Sequence, residues 1–218
     1  MRDEVYVGVD VGGTRKGFHA IALQERAIMA RLHTLAASEM GDWCNELGVL
    51  GIAIDAPCRW SRTGRARLAE REMAKEKIFA FATPSRAEAE TKQFYRWMLN
   101  GASLYSCIES NYKLFDGHKP RKRFCVETFP QAVACALAGR VLPAKKKSAN
   151  RLAVLESEGI ATTTLTNMDY IDAALCALAA RYIGMGSYRS YGDDEEGFIV
   201  VPSISVKWAE DPFLGQRT

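Results

Sequence analysis

Five acidic residues of this sequence stand in apolar surroundings, where a charge is costly. Asp10, Asp55 and Glu127 each lie at or near the end of an apolar run typical of a β-strand. Asp169 and Asp172 are three residues apart in a helical pattern. This spacing puts them about 60° apart around the helix axis, so both can face one cavity. A buried carboxylate must be protonated, paired with a base or bound to a cation. Because several such acids occur, we favour a bound cation.

The residue types favour a hard divalent ion at this site. Oxygen ligands without histidine or cysteine suit Mg²⁺ or Mn²⁺ better than zinc. Two such ions about 4 Å apart can hold the attacking water and the leaving oxygen of a phosphodiester. Simpler explanations stay open: the helix dipole for Asp169, a turn cap at Gly12-Gly13 for Asp10, a loop position for Asp55, and pairing with a base from the segment 59–120 for Glu127.

Basic side chains are candidates for binding phosphate oxygens beside such a metal site. The residues expected to bind substrate are Arg71, Arg86, Lys147 and Arg151. The alternative for each of them is a solvated helix face. The three histidines, His19, His33 and His118, show no metal-ligand spacing along the chain, and we assign them no role.

The order of predicted elements indicates a ribonuclease H-like α/β fold, which is a five-stranded mixed sheet flanked by helices. The first three strands are expected to form an antiparallel meander, and a helical insertion at about 59–120 follows the fourth strand. We expect one domain spanning 1–218. Strands are predicted at 4–11, 17–23, 27–33, 49–57 and 123–129, helices at 38–47, 130–139, 148–159 and 168–183, and insertion helices near 66–80, 84–100 and 102–115.

Composition sets limits on the function classes. The chain of 218 residues has a net charge of +3, which permits an anionic partner without requiring one. No apolar run approaches the roughly 20 residues of a membrane span, and no signal peptide is visible. The six cysteines form no CxxC pair, and several of them fall in apolar patterns, which is typical of buried thiols. We therefore expect a cytoplasmic protein that does not enter a membrane.

A set of short motifs in this order resembles the domain-of-unknown-function family four-two-nine, whose members are labelled predicted nucleases. The resemblance covers nearly the whole chain. The motifs are Val7-Gly-Val-Asp10, Ile54-Asp55-Ala-Pro57, Arg67-x3-Arg71, Pro84-x-Arg86, Val126-Glu127-Thr-Phe-Pro130, Lys147-x3-Arg151, Met168-Asp169-x2-Asp172-Ala173-Ala174 and Asp194-x2-Gly197-Phe-Ile199.

The resemblance implies a metal-dependent nuclease of the ribonuclease H-like superfamily. By its similarity to that superfamily, the ligands of two Mg²⁺ or Mn²⁺ ions are Asp10, Asp55, Asp169 and Asp172. Glu127 is an additional carboxylate, which we expect to act as an auxiliary catalytic ligand. The implied substrate is DNA or RNA. One departure is that Met168-Asp169 stands where many members have two adjacent acids.

Two other functions stay open from the sequence. The loop Asp10–Thr14 is similar to the first phosphate loop of sugar kinases and actin-like ATPases, which clasp a nucleotide between two such domains. The second alternative is a binding module that kept the fold and lost turnover. In that case the tail 184–218, with its tyrosines and Trp208, is a candidate surface for a partner or a homodimer.

Overall fold

The computed structural model describes residues 4–120, 122–143 and 145–203. This part of the chain forms eight strands and seven α-helices. The strands are β1 (Val5–Val11), β2 (Phe18–Gln24), β3 (Ala27–Thr34), β4 (Gly51–Asp55), β5 (Lys113–Leu114), β6 (Phe124–Glu127), β7 (Tyr188–Asp193) and β8 (Gly197–Pro202). The helices are α1 (Ala37–Glu46), α2 (Leu68–Lys75), α3 (Arg86–Thr91), α4 (Arg96–Ile108), α5 (Pro130–Ala138), α6 (Lys147–Ser157) and α7 (Met168–Met185), and a 3-10 turn spans Gln93–Tyr95.

All eight strands join one sheet, whose order is β3-β2-β1-β4-β6-β8-β7 with β5 beside β6. Strands β1, β2 and β3 pair antiparallel, whereas β1, β4 and β6 pair parallel. This arrangement confirms the ribonuclease H-like fold. The expectation of five strands is wrong, because β5 adds to β6 and the antiparallel pair of β7 and β8 extends the far edge. The apolar residues of β8 are buried there, which explains why this segment joins the sheet.

The sheet separates two apolar layers, and strand alternation decides which layer a side chain enters. In β1, Val7 and Val9 pack with α1 and α4, whereas Tyr6 faces the layer that contains α5, α6 and α7. Gly8 lies on the side of α7, where an added Cβ would stand 2.0 Å from the carbonyl oxygen of Ala173. The missing side chain therefore lets α7 lie directly on β1. Asp10 has the same parity as Gly8 and points toward this helix.

Local signals place three helix ends correctly. Pro130 opens α5, and Gly139 ends it in a left-handed conformation with φ 64°. Asn167 caps α7, and its side chain accepts a hydrogen bond from the Tyr170 N–H at 2.9 Å. This cap orients the helix turn that carries Asp169.

The insertion is helical as expected, but its helices are shorter and shifted. A break at Lys92 separates α3 from the 3-10 turn, and α4 ends at Ile108 rather than near residue 115. The apolar side of α4 explains its position, because Leu104 and Ile108 are buried against the sheet. The insertion therefore supplies one of the covering helices. Its organisation with the rest of the chain as a single domain stays a prediction.

No helix in the described ranges has the length and apolar character needed to cross a membrane.

Candidate active site

All five acids predicted from the sequence line one cavity of about 300 Å³. Asp10 and Asp55 lie at the carboxyl ends of adjacent parallel strands and are register partners across β1 and β4. The first turns of α7 add Asp169 and Asp172. The parallel register and the close approach of α7 to Gly8 are therefore what bring these distant residues together.

The carboxylates of this cluster are poorly compensated. Asp10 is 7% exposed, and burial raises its pKa to about 7, an effect that nearby Asp172 and Asp169 strengthen and Lys16 opposes. Burial likewise raises the pKa of Asp55 well above its usual range, and the charges of Asp10 and Asp172 add to this. Within the described residues, no hydrogen bond reaches the Asp55 carboxylate. A divalent cation would relieve this repulsion, so the donor set fits a metal ion.

A lysine partly neutralises the cluster. The Nζ atom of Lys16 lies 2.7 Å from Oδ1 of Asp169 and 3.5 Å from Oδ2 of Asp10. Its side chain passes so close to Gly12 that an added Cβ there would stand 2.5 Å from the Lys16 Cδ. Gly12 thus makes room for the lysine. Because the Lys16 side chain is 48% exposed, water screens its attraction to the acids.

His19 belongs to the site, although spacing along the sequence gave no reason to include it. It is the register partner of Asp10 across β1 and β2. A ring nitrogen of His19 and carboxylate oxygens of Asp10 and Asp169 all lie within 4.8 Å of one another. Burial lowers the pKa of His19, which keeps the imidazole neutral and able to bind a metal. The signal that could have found it is the register of the predicted hairpin.

Asp172 has two basic neighbours. Nη1 of Arg151 contacts its Oδ1 atom, and Nζ of Lys147 lies 3.6 Å from its Oδ2 atom. Arg151 is buried and held between Asp172 and Gln131, whereas Lys147 is half-exposed and lines the cavity. Of these two predicted phosphate-binding residues, Lys147 is the one placed to meet a ligand.

The other two predicted phosphate-binding residues lie outside the cavity lining. Arg71 is exposed on α2, where its Nη1 donates to the carbonyl oxygen of Ala66 at 2.6 Å. Arg86 is exposed at the start of α3, where it pairs with Glu90 at 3.0 Å. These two side chains could therefore contact a ligand only where it extends beyond the cavity.

Glu127 also lines the cavity, but its carboxylate is paired with a base rather than left for a ligand. Its strand neighbours Phe124 and Val126 pack toward α7, so alternation turns Glu127 toward the layer of α4. There Arg67 donates to both carboxylate oxygens, at 2.9 Å and 2.5 Å, and the Cys58 N–H donates at 2.8 Å. Pairing with a base of the insertion, the simpler explanation left open above, is what the structure shows.

Strand order and the acid cluster together define a ribonuclease H-like α/β protein with a candidate cation site. A family model described as "Protein of unknown function (DUF429)" matches residues 8–197, and the chain belongs to this family. A solved structure described as "Thermus thermophilus RuvC structure" is similar at 18% identity with a TM-score of 0.43, covering 84% of this chain and 96% of that one. A search of curated proteins found no match.

Proposed function

We propose that this protein hydrolyses phosphodiester bonds of nucleic acid, using Mg²⁺ or Mn²⁺ held by its acidic cavity. The observation that carries the proposal is the convergence of Asp10, Asp55, Asp169 and Asp172 on one cavity with too little positive charge to balance them. A fold that only needed stability would gain from replacing such a cluster with apolar side chains. The cluster is therefore best explained as a site for a ligand that it binds by charge.

The residues divide into ligands and supports. Asp10, Asp169 and His19 would hold one cation, and Asp55 and Asp172 offer further oxygens in the same cavity. When bound, the ion would neutralise phosphate charge and lower the pKa of a coordinated water. Glu127 stays outside the proposed ligand set, because Arg67 and the Cys58 N–H already occupy its oxygens.

Basic residues around the acids would hold the substrate. Lys16 and Lys147 line the cavity with half-exposed ammonium groups, which attract phosphate oxygens. Arg151 would act as a positioning residue that holds the Asp172 carboxylate. Arg71 and Arg86 would contact nucleic acid only outside the cavity. In the reaction, the oxygen of water bonds to phosphorus, the ester P–O bond breaks, and the leaving oxygen takes up a proton.

The test is cleavage of end-labelled single-stranded and duplex DNA and RNA with Mg²⁺, with Mn²⁺ and with EDTA. We expect cutting that requires the metal and falls by about 10³-fold in Asp10→Asn, equivalent to about 4 kcal/mol. Asp42→Asn, which alters an exposed acid on α1, is the matched control and should cut normally. Cutting that survives in Asp10→Asn would refute the proposal, as would the absence of cutting on every substrate.

A binding protein without turnover is the second candidate. It is favoured by Lys16, whose ammonium group already lies between Asp10 and Asp169. Calorimetric titration with Mn²⁺ separates the two, because a working site binds the ion and a relic does not. The partner or homodimer surface of this candidate includes Trp208, which lies outside the described residues.

The loop Asp10–Thr14 is less well suited to binding the phosphates of a nucleotide than the acidic cavity is to binding a cation. The Gly12 N–H is already donated to the Gly17 carbonyl oxygen at 2.8 Å. Thermal stabilisation by MgATP would nevertheless support the ATPase alternative.

A cytoplasmic location also stays a proposal, and it agrees with six cysteines that form no disulfide.

A further inference from the structure

Three phenylalanines of the insertion are exposed, and two of them are in contact. Phe79, Phe81 and Phe94 are 73%, 66% and 58% exposed. The rings of Phe81 and Phe94 meet edge to face at 5.5 Å between centroids, and Phe94 meets Tyr95 in the same way at 5.1 Å. We call these four residues the aromatic patch. Other exposed large apolar residues of the described chain are aliphatic and lie elsewhere in the sequence, so the patch is a feature that folding alone does not explain.

The segment that carries Phe79 and Phe81 is anchored at both ends. Ile78 is buried before it, and Thr83 is buried after it. The N–H and hydroxyl groups of Thr83 both donate to the buried carboxylate of Glu70. Because these anchors fix the backbone, the two rings are presented to solvent at a defined place.

The aromatic patch continues into the acidic cavity. Phe81 and the half-buried Trp97 line the same cavity as Asp10 and Asp55. A ligand in this cavity could therefore contact both the aromatic side chains and the carboxylates. This continuity links the patch to the site rather than to a separate surface.

Basic residues flank the aromatic ones in the sequence. Lys77 precedes Phe79 by two positions, and Arg96 directly follows Tyr95. Neither Lys77 nor Arg96 forms a salt bridge with any residue that the structure describes. Aromatic rings beside unpaired positive charges suit single-stranded nucleic acid, because bases stack on the rings while phosphates meet the charges.

We infer that the aromatic patch binds unpaired bases, so that the substrate is single-stranded nucleic acid or a duplex with unpaired nucleotides beside the cut. The link to cleavage rests on the proposed function, whereas base binding by the patch can be measured without it. A fully paired duplex keeps its bases stacked inside the helix and offers no such face.

The test measures anisotropy of fluorescein-labelled oligothymidine, oligouridine and a blunt duplex in EDTA, where no cutting occurs. Alanine at a stacking position costs roughly 5- to 150-fold in affinity for single strands. We expect this loss in Phe81→Ala and Phe94→Ala, with little change for the duplex. Phe81→Trp should retain binding, and Phe81→Leu should lose it, because leucine has no aromatic face. Met185→Ala, at a 54% exposed residue on the far end of α7, is the matched control.

The two proposals fail in different ways. Wild-type affinity for both single strands in Phe81→Ala and Phe94→Ala would overturn the inference, even if the protein cuts nucleic acid. Equal affinity of Phe81→Leu and the wild type for single strands would also overturn it, because the patch would then act by apolar contact alone. Sedimentation that shows a dimer lost in Phe81→Ala, with DNA binding unchanged, would assign the patch to a second copy instead. Ring-dependent binding without any cutting would refute the proposed function and leave the inference standing.

Discussion

Two clusters of buried charge border the same cavity, and they differ in how completely their groups are paired. Around Arg67, the guanidinium donates to Glu70, to Glu127 and to the carbonyl oxygens of Arg59 and Glu196. Around Asp10, four carboxylates have only three basic neighbours, which are Lys16, Lys147 and the buried Arg151.

The difference separates a structural role from a chemical one. A fully paired cluster has no donor or acceptor left for a ligand, and breaking it leaves a buried charge without a partner. An underpaired cluster lowers the stability of the fold, and binding of a cation raises that stability again. Both clusters consist of acids and bases beside a cavity, so pairing rather than residue type distinguishes them.

The largest effect is expected from breaking the paired cluster. Arg67→Met leaves Glu127 and Glu70 buried without their base, and their side chains are 5% and 4% exposed. We expect a loss of about 3–5 kcal/mol in the free energy of unfolding, measured by urea denaturation. Arg62→Met removes the exposed pair with Glu195 and should cost only about 0–1 kcal/mol. Similar losses in both variants would contradict the comparison.

The underpaired cluster should make metal-free stability fall as pH rises. The pKa of Asp10 is about 7 in the fold against an ordinary 3.8, so between these values the folded protein keeps a proton that the unfolded chain has lost. This contribution is present near pH 4 and is lost by pH 7 and above, on the order of a few kcal/mol.

Urea denaturation in EDTA from pH 5 to pH 8 measures this slope. Asp10→Asn should reduce the slope, because the amide does not titrate while Asp55 still does, and saturating Mn²⁺ should flatten it in the wild type. Asp42→Asn should keep the wild-type slope. A slope identical in Asp10→Asn and wild type would show that Asp10 is not the group responsible.

His19 should set the choice between metals. A neutral imidazole binds Mn²⁺ better than Mg²⁺, which prefers oxygen ligands. In His19→Asn, we expect Mn²⁺ affinity to fall by about 10-fold, the lower end of what removing metal-site support costs, with a smaller change for Mg²⁺. Calorimetric titration measures both, and His118→Asn is the control at an exposed loop histidine. Equal losses for the two ions would contradict a role of His19 in selecting the metal.

The smallest effect concerns Lys16. Because its side chain is 48% exposed, its pair with Asp169 should contribute only about 0–1 kcal/mol to metal-free stability. Lys16→Met should also strengthen Mn²⁺ binding by up to about fivefold, since the ammonium group no longer competes. Lys75→Met, on the exposed end of α2, should change neither quantity. Weaker Mn²⁺ binding in Lys16→Met would contradict competition between the lysine and the ion.

The sequence was most informative where the signal is local. Pro130, Gly139 and Asn167 mark helix ends by their own backbone chemistry, and the structure has those ends at the same residues. The expected strand order also follows from short connections between neighbouring apolar runs. The insertion helices were less well placed, because their boundaries depend on which residues of α4 pack against the sheet.

The acid residues themselves, and the element order that carries them, were determined by the sequence. Only the tertiary structure decided that Glu127 pairs with Arg67, that His19 lies beside Asp10, and that Arg151 pairs with Asp172. The physical reason is that β1 and β6 are buried on both faces, which removes the polar alternation that would reveal a side chain's direction. Partners from distant segments depend on register and on helix packing, and neither is written in the spacing of residues along the chain.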